Sequence, residues 1–227
     1  MSTIEIFLVA LDEPALSCET LAEWLDAEER ARLASFERAR PRRRYLAAHA
    51  ALRLILGRIL GRRPAEIEFR RNAWGRPETS GGPSFNMSHG GARALVAVAD
   101  KGSIGVDIEC GDKNVSAEVF DAVASDAELL ASPGRRLERA DRLWLWVRKE
   151  AVLKAFGRGL SFSPRALTVG AHAPDAGFWR KATLVEQDVV RDFSFIDLAL
   201  PFRSVGALAI GGCAGEPWKV DIRPLTI

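Results

Sequence analysis

The pattern of apolar and polar positions predicts an alternation of strands and helices along the first part of the chain. Residues 3–11 (TIEIFLVAL) alternate as a β-strand does. Apolar residues then recur at helical spacing, which predicts one helix over residues 21–37 and a longer one over residues 42–61. Pro41 interrupts the first pattern, and Gly61 stands where a helix C-terminal cap is expected.

Short strands are predicted after the second helix. Their sequences are EIEFRR, the FNMSH segment, ALVAVAD and SIGVDIEC, with the Gly- and Pro-rich loop NAWGRPETSGGP after the first of them. The turn residues 100–102 (DKG) between the last two strands predict that these strands pair as a hairpin.

The second part of the chain follows a similar order. Residues 116–131 have helical spacing, Ser132–Gly134 break it, and residues 136–157 predict a long helix that ends at Gly157 and Gly159. Four strands are then expected, at ALTVG, FWRKATLVEQ, DFSFIDLAL and SVGALAIGG. We therefore expect an α+β fold in which each half combines helices with an antiparallel sheet.

Composition places the chain among ordinary globular proteins. It is 48% hydrophobic and 27% charged, and no apolar run approaches the roughly 20 residues of a membrane helix. The N-terminus lacks the basic region of a signal peptide, and three separated cysteines do not form a disulfide framework. We expect a cytoplasmic protein that does not enter the membrane.

Charge is uneven along the chain although the net charge is only +2. Fourteen arginines lie between Arg30 and Arg76, which suits phosphate groups or an acidic partner, although solvated helix faces also account for many of them. The run RARPRRR resembles a nucleic-acid patch, but aromatic residues are sparse around it and no nucleic-acid-binding motif accompanies it. We predict no nucleic-acid partner.

The stretch GVDIE places two carboxylates two residues apart in an otherwise apolar strand. With a side-chain period of two, Asp107 and Glu109 share one face while Val106 and Ile108 share the other. Two like charges side by side repel each other, and a hard divalent cation is the simplest reason to keep them. The stretch therefore predicts a metal site, most simply for Mg²⁺.

The long helix contributes a second charged pair within WVRKEAVLK (residues 146–154). Glu150 and Lys154 are four residues apart and so lie on one face of the helix. Taken alone, this spacing fits an ordinary surface ion pair.

Together the motifs resemble the 4′-phosphopantetheinyl transferases of the Sfp type. FNMSH (residues 85–89), GVDIE (residues 105–109) and WVRKEAVLK follow one another in the family's order. GRP (residues 75–77) stands where the family often has Gly-Lys-Pro, and SDAEL (residues 125–129), with Glu128, resembles the start of a family helix. Met87 and Gly90 depart from the family's usual Ile and Ser but preserve volume or flexibility.

The resemblance implies a fold and a reaction. The fold would be two similar α+β halves, residues 1–102 and 103–227, related by a pseudo-twofold axis with the active site in the cleft between them. The reaction would move the 4′-phosphopantetheine arm of coenzyme A onto a serine of an acyl or peptidyl carrier protein. Adenosine 3′,5′-bisphosphate would be released.

The resemblance also implies roles for individual residues. Asp107 and Glu109 would be Mg²⁺ ligands, and Glu150 would be a third ligand or the base that takes the serine proton. Lys154 would stabilise the transferring phosphate or protonate the leaving group. The residues expected to contact coenzyme A are Arg32, Arg76, Ser88, His89 and Lys154.

Other functions remain open at this level. A Mg²⁺-dependent nucleotide or diphosphate hydrolase would use the same carboxylates with water as the nucleophile. An inactive coenzyme A- or carrier-binding module would keep the fold without the chemistry. For the transferase, we expect an acidic carrier protein as the partner and a monomer, because one chain already supplies both walls of the cleft.

Overall fold

The computed structural model describes residues 3–131, 138–158, 162–170, 177–186, 189–212 and 218–227. The first part contains strands and helices in the order β1 (Thr3–Ala10), α1 (Cys18–Glu23), α2 (Ala27–Ala34), α3 (Ala39–Leu60), a 3₁₀ turn (Pro64–Glu66), β2 (Arg70–Arg71), β3 (Pro77–Glu78), β4 (Ser84–Gly90) and β5 (Arg93–Ala99). The second contains β6 (Ser103–Cys110), α4 (Ala117–Val123), α5 (Asp126–Leu130), α6 (Arg139–Phe156), a 3₁₀ turn (Pro164–Ala166), β7 (Arg180–Glu186), β8 (Val189–Leu198), β9 (Ser204–Gly211) and β10 (Lys219–Leu225). The predicted α+β class is confirmed.

Two four-stranded sheets carry the fold. Their strand orders are β10-β1-β5-β4 and β6-β9-β8-β7. All neighbours are antiparallel except β1 and β10, which are parallel, so the first sheet is mixed and not purely antiparallel as predicted. The last strand of the chain therefore completes the first sheet.

The sheets pack face to face between two helical layers. Ile4, Leu95, Val106 and Leu208 belong to one buried cluster that fills the space between the sheets. The other face of the first sheet packs on α3, and the other face of the second packs on α6. Within the described ranges, no helix combines the length and the apolarity needed to cross a membrane.

The predicted hairpin between ALVAVAD and SIGVDIEC is wrong. Strand β5 lies between β1 and β4, whereas β6 is an edge of the second sheet and pairs with β9. Asn86 Oδ1 and Ser84 Oγ on β4 instead accept hydrogen bonds from the backbone N–H groups of Val106 (3.0 Å) and Ile104 (3.3 Å). Because β5 and β6 are both buried almost throughout, periodicity alone does not identify their partners.

Each of the two predicted halves contains a helical stretch that is divided by a capping box. The Asp26 carboxylate accepts a hydrogen bond from Glu29 N, and the Glu29 carboxylate accepts one from Asp26 N. This reciprocal cap starts α2 and separates it from α1 within the predicted helix 21–37. Ser125 and Glu128 do the same at the start of α5, which separates it from α4. A reciprocal cap satisfies N–H groups that a continuous helix would bond itself, so the chain starts a new helix there.

The long helices end as predicted, and two short strands differ from prediction. Gly61 and Gly157 have positive φ (64° and 82°) and cap α3 and α6. Gly159 and the break at Ser132–Gly134 lie outside the described residues. Of EIEFRR only Arg70–Arg71 is a strand, and ALTVG forms no strand but a single bridge between Leu167 and Leu184.

Candidate active site

Two close backbone approaches bring the motif residues together. A Cβ on Gly105 of β6 would lie 2.1 Å from Ala151 O and 2.3 Å from Ala155 N of α6, so glycine lets the helix pack directly on the strand. A Cβ on Gly90 of β4 would lie 2.5 Å from Ile108 O, so β4 also passes close to β6. The three motifs therefore meet where β4, β6 and α6 converge.

Asp107 is the centre of this convergence and is only 4% exposed. Its Oδ1 accepts hydrogen bonds from Ser88 Oγ (2.7 Å) and Lys154 Nζ (2.6 Å). Lys154 also donates to Ser88 Oγ (3.0 Å) and to Val106 O (3.3 Å). Asp107 Oδ2 is buried and has no hydrogen-bond partner, so the carboxylate keeps one oxygen available to a ligand.

Glu109 and Glu150 extend the acidic site. Burial raises the pKa of Glu109, the negative charge of Asp107 raises it further, and the ion pair with Lys113 acts against both. Burial also raises the pKa of Glu150; Lys154 opposes that rise, and Asp107 and Glu109 add to it. Within the described ranges no hydrogen bond is found to the Glu150 carboxylate. Two partly buried carboxylates with raised pKa values beside a third carboxylate favour a bound cation.

The donor set fits a hard cation such as Mg²⁺. Mg²⁺ is usually held by one or two carboxylates, with water and substrate phosphate oxygens completing its shell. Asp107 Oδ2 offers one bare oxygen, and Glu109 and Glu150 stand beside it. Among the residues that the structure describes, no group of three or more His, Cys, Asp or Glu side chains is arranged so that it could hold a metal ion. Lys154 and Lys113 neutralise Asp107 and Glu109 instead.

The two polar residues of FNMSH differ in their surroundings. Ser88 is buried and turned toward Asp107 and Lys154, not toward solvent. His89 is exposed on the same strand. Crowding by surrounding protein atoms lowers the pKa of His89, and the positive charges of His49 and Lys154 lower it further. Contacts of both residues with coenzyme A stay a prediction.

Arg76 ties the converging segments together. Its guanidinium donates to four carbonyl oxygens, those of Lys154 (2.8 Å), Ala155 (3.3 Å), Phe85 (3.1 Å) and Ile104 (2.9 Å). These bonds join α6, β4 and β6 behind the site. The predicted phosphate contact of Arg76 stays a prediction, but the structure gives this residue a structural role that the sequence analysis missed.

A cavity of about 420 Å³ opens beside the acidic site on the side of the first sheet. Arg32 lines it, stacked on Phe36 with 5.2 Å between the guanidinium carbon and the ring centroid. The other lining residues are aromatic, apolar, polar or charged: Asp26, Glu28, Glu29, Tyr45, His49, Leu52, Phe69, Arg71, Pro77, Phe85, Asn86 and Met87. Aromatic walls with arginines at the mouth suit a ligand that carries a ring and phosphates.

An ion-pair network fixes one wall of this cavity. Glu29 pairs with the fully buried Arg53 (2.6 Å) and with His49 Nδ1 (2.8 Å). The Tyr45 ring stacks on His49 with centroids 4.0 Å apart. Burial, together with the charges of Glu29 and Asp26, raises the pKa of Tyr45 to about 12. The only sequence signal for this wall is the i,i+4 spacing of Tyr45, His49 and Arg53 on α3.

Comparison with known proteins finds similarity to 4′-phosphopantetheinyl transferases. The family model described as the 4′-phosphopantetheinyl transferase superfamily matches residues 103–203. The 4′-phosphopantetheinyl transferase HetI of Nostoc is 32% identical over 70% of this chain and 70% of its own length. A putative 4′-phosphopantetheinyl transferase of Synechocystis is 29% identical over 83% and 81%, and the 4′-phosphopantetheinyl transferase Sfp of Bacillus subtilis 27% over 74% and 77%.

Proposed function

Because this chain belongs to the 4′-phosphopantetheinyl transferase superfamily, enzymes that transfer phosphopantetheine from coenzyme A to carrier proteins, we propose that it performs this transfer with Mg²⁺ at Asp107, Glu109 and Glu150. The observation that carries the proposal is the contact of Asp107 with Ser88 and Lys154. This contact unites the three motifs and leaves one buried carboxylate oxygen bare.

The reaction needs the negative charge of a diphosphate to be neutralised. When bound, Mg²⁺ would supply the neutralising positive charge and align the phosphate oxygens for in-line attack. Asp107 would hold it through Oδ2, and Glu109 and Glu150 would complete the protein's share of the ligands. Glu109 would first part from Lys113, which has enough exposure to turn toward solvent or phosphate.

Lys154 would provide the second positive charge. Its ammonium already lies 2.6 Å from Asp107 Oδ1 and 3.0 Å from Ser88 Oγ, so it is held at the mouth of the acidic site. From there it would stabilise the phosphoryl group in transfer or the departing bisphosphate. Ser88 would orient Lys154 and Asp107 toward each other.

Glu150 is our candidate for the general base. A carboxylate whose pKa is raised by burial and by neighbouring negative charges is a stronger base than an ordinary surface carboxylate. The hydroxyl oxygen of the carrier serine would form a bond to the phosphorus that bears the pantetheine arm, and the serine proton would pass to Glu150. The bond from that phosphorus to the bridging diphosphate oxygen would break, and adenosine 3′,5′-bisphosphate would leave.

The cavity beside β4 is our candidate for the adenosine end of coenzyme A. Asn86 and Met87 line it, and the next residue on the strand, Ser88, reaches Asp107. Asn86 and Ser88 lie on the same face of the strand, two residues or about 7 Å apart, a distance that a diphosphate would span between the cavity and the acidic site. Arg32, Arg71 and His89 would then face the phosphates.

Mass spectrometry of apo carrier proteins tests the proposal. Purified protein with Mg²⁺ and coenzyme A is expected to add one phosphopantetheine mass to an apo acyl or peptidyl carrier protein, and EDTA is expected to abolish the addition. Asp107→Ala is expected to lose at least about 10³-fold in rate with an unchanged circular dichroism spectrum. Release of the bisphosphate from coenzyme A at an equal rate without any carrier would identify a hydrolase and contradict the proposal.

A further inference from the structure

The turn between β8 and β9 breaks the usual rule for such turns. Ser204 N donates to Pro201 O (3.3 Å), and both central residues, Phe202 and Arg203, have positive φ (61° and 54°). Turns of this kind favour Asn-Gly, because a residue with a side chain loses about 1–2 kcal/mol in the left-handed region. The chain keeps a large aromatic and an arginine where the backbone disfavours both.

Core packing does not account for this choice. Phe202 is 71% exposed, and Arg203 is exposed as well. The Phe202 ring instead lies under the guanidinium of Arg93, with 4.2 Å between the guanidinium carbon and the ring centroid. Arg93 begins β5 in the first sheet, so this contact bridges the two sheets at the surface.

The turn lies at the edge of the acidic site. Across the β6–β9 ladder, Glu109 is opposite Val205 and Cys110 is opposite Ser204, and Gly111 N donates to Arg203 O (2.8 Å). Arg203 is thus two residues from the partner of Glu109, or about 7 Å along the strand. A carrier protein whose serine reached the carboxylates would therefore come close to this turn at the rim of the site.

The rim is positively charged on the side of the first sheet. Leu11 N donates to Ala92 O (3.0 Å) beside Arg93, and the next residue, Asp12, is shared by Arg40 (2.9 Å) and Arg44 (2.6 Å). Two arginines on one carboxylate leave a net positive charge. Arg93 lies over the exposed Phe202 ring and Arg203 follows it in the chain, so two cations flank an exposed aromatic side chain.

We propose that Phe202 and Arg203 form a docking point for the carrier protein, in which the Phe202 ring makes the apolar contact and Arg203 with Arg93 pairs acidic side chains of a carrier helix. The inference rests on the proposed function, since it needs a carrier whose serine reaches Glu150. An exposed aromatic flanked by two arginines has the composition of a binding hot spot for an acidic partner. The unfavourable backbone is retained because it projects both side chains over the rim.

The test replaces the turn by one that the backbone prefers. Phe202→Asn/Arg203→Gly gives the favoured Asn-Gly turn, so the variant is expected to keep or raise the melting temperature. With a recombinant apo acyl carrier protein and an apo peptidyl carrier protein as probes, the KM for carrier is expected to rise about tenfold or more while the KM for coenzyme A stays unchanged. A second variant, Arg203→Glu, reverses the charge at a surface position and is expected to raise the carrier KM and flatten its dependence on NaCl.

Matched controls lie at the opposite edge of the second sheet. Phe178→Asn removes an aromatic that is 65% exposed, and Lys181→Glu makes an equal change of charge on β7. Neither is expected to change the carrier KM. If the wild-type protein modifies a carrier and both rim variants keep its carrier KM, or raise the coenzyme A KM equally, the docking proposal is overturned. If the wild-type protein modifies no carrier, the proposed function fails first.

Discussion

At the scale of single residues, the site holds more negative charge than the fold alone would favour. Burial and the neighbouring charge of Asp107 raise the pKa of Glu109 and of Glu150, and Lys113 and Lys154 contact only Glu109 and Asp107 directly. Sites arranged for catalysis commonly keep such unfavourable charge at the expense of stability. Glu150 is the clearest example, because its carboxylate has no hydrogen-bond partner among the residues that the structure describes.

Glu150→Gln is therefore expected to stabilise the protein and inactivate it. The folded-state pKa of Glu150 lies above its ordinary value of 4.5, so the ionised side chain opposes folding once the pH exceeds that value. The gain from glutamine is expected to be on the order of 1 kcal/mol at pH 8 in EDTA and to shrink as the pH falls from the raised folded-state pKa towards 4.5, because the side chain is then increasingly protonated in both states. Melting temperatures at pH 8 and pH 4.5 measure it.

The control for this change lies on the same helix and outside the acidic site. Asp141→Asn in the first turn of α6 removes a charge that favours the helix N-terminus and is expected to lower the melting temperature slightly at pH 8. A Glu150→Gln variant that is less stable than wild type at pH 8 in EDTA would show that its carboxylate is compensated in the folded protein.

Periodicity accounts for part of this site and not for the rest. The strand period places Asp107 and Glu109 on the face toward α6, opposite Val106 and Ile108, and the helix period places Glu150 above Lys154. The contact between Ser88 and Asp107 depends on β4 passing beside β6, and periodicity within a strand does not specify which strand is its neighbour. The family resemblance predicted that Ser88, Asp107 and Lys154 belong to one site, but it did not predict the hydrogen bond between Ser88 and Asp107.

At the scale of elements, Gly105 sets the distance between β6 and α6. Because a Cβ there would overlap the α6 backbone at Ala151 and Ala155, the helix must move away to admit any side chain. Backbone atoms yield much less readily than the end of a flexible side chain. The glycine therefore determines how far Glu150 and Lys154 stand from Asp107.

Gly105→Ala is expected to lower activity by more than its loss of stability would explain. We expect a loss of about 2–3 kcal/mol in the free energy of unfolding, as for overpacked cores, and a fall in kcat of about 100-fold at temperatures where the variant is fully folded. Urea unfolding followed by circular dichroism gives the first quantity, and the carrier assay gives the second.

Gly102→Ala, which precedes β6 by one residue and has positive φ, is the matched control. It is expected to destabilise the turn through its backbone while leaving the distance between Asp107 and α6 unchanged. An equal fall in kcat for both glycine variants at equal folded fractions would contradict the role given to Gly105.

Element boundaries show what the sequence can and cannot reveal. The C-caps at Gly61 and Gly157 follow from residue chemistry and were predicted. The capping boxes at Asp26 and Ser125 carry the same kind of local signal, with an acidic N3 residue three positions on, but helical spacing on both sides of each box obscured it. Strand pairing is different, because it is decided by contacts distant in sequence.

At the scale of the whole molecule, the same buried arrangement occurs twice: a cation on a long helix pairs with the glutamate of a capping box and donates to two backbone carbonyls. In the first, Arg53 of α3 pairs with Glu29 of a capping box and donates to the carbonyls of Pro64 (3.3 Å) and Ile67 (2.9 Å). In the second, Lys149 of α6 pairs with Glu128 of a capping box (2.7 Å) and donates to the carbonyls of Pro164 (2.9 Å) and Leu167. The partners are of the same kind and follow in the same order in both, and the pseudo-twofold relation of the two halves stays a prediction.

The halves nevertheless share one core. The apolar cluster between the sheets draws on both, and β10, at the end of the chain, pairs with β1 at its start. Arg76 further bonds the loop of the first half to α6 of the second. We therefore predict that residues 1–102 and 103–227 unfold together in one cooperative transition.

Breaking either buried ion pair tests this cooperativity. Lys149→Met leaves Glu128 buried without its cation and is expected to cost about 3–5 kcal/mol, whereas Arg53→Met is expected to cost less because His49 remains on Glu29. Lys181→Met, at an exposed site on β7, is expected to change little. Urea unfolding followed by far-ultraviolet circular dichroism and by tryptophan fluorescence should give coincident single transitions for both core variants. If the sheets were independent units, Lys149→Met would instead separate an early transition of the second sheet from an unchanged transition of the first, because the substitution reaches the first sheet only through the shared core.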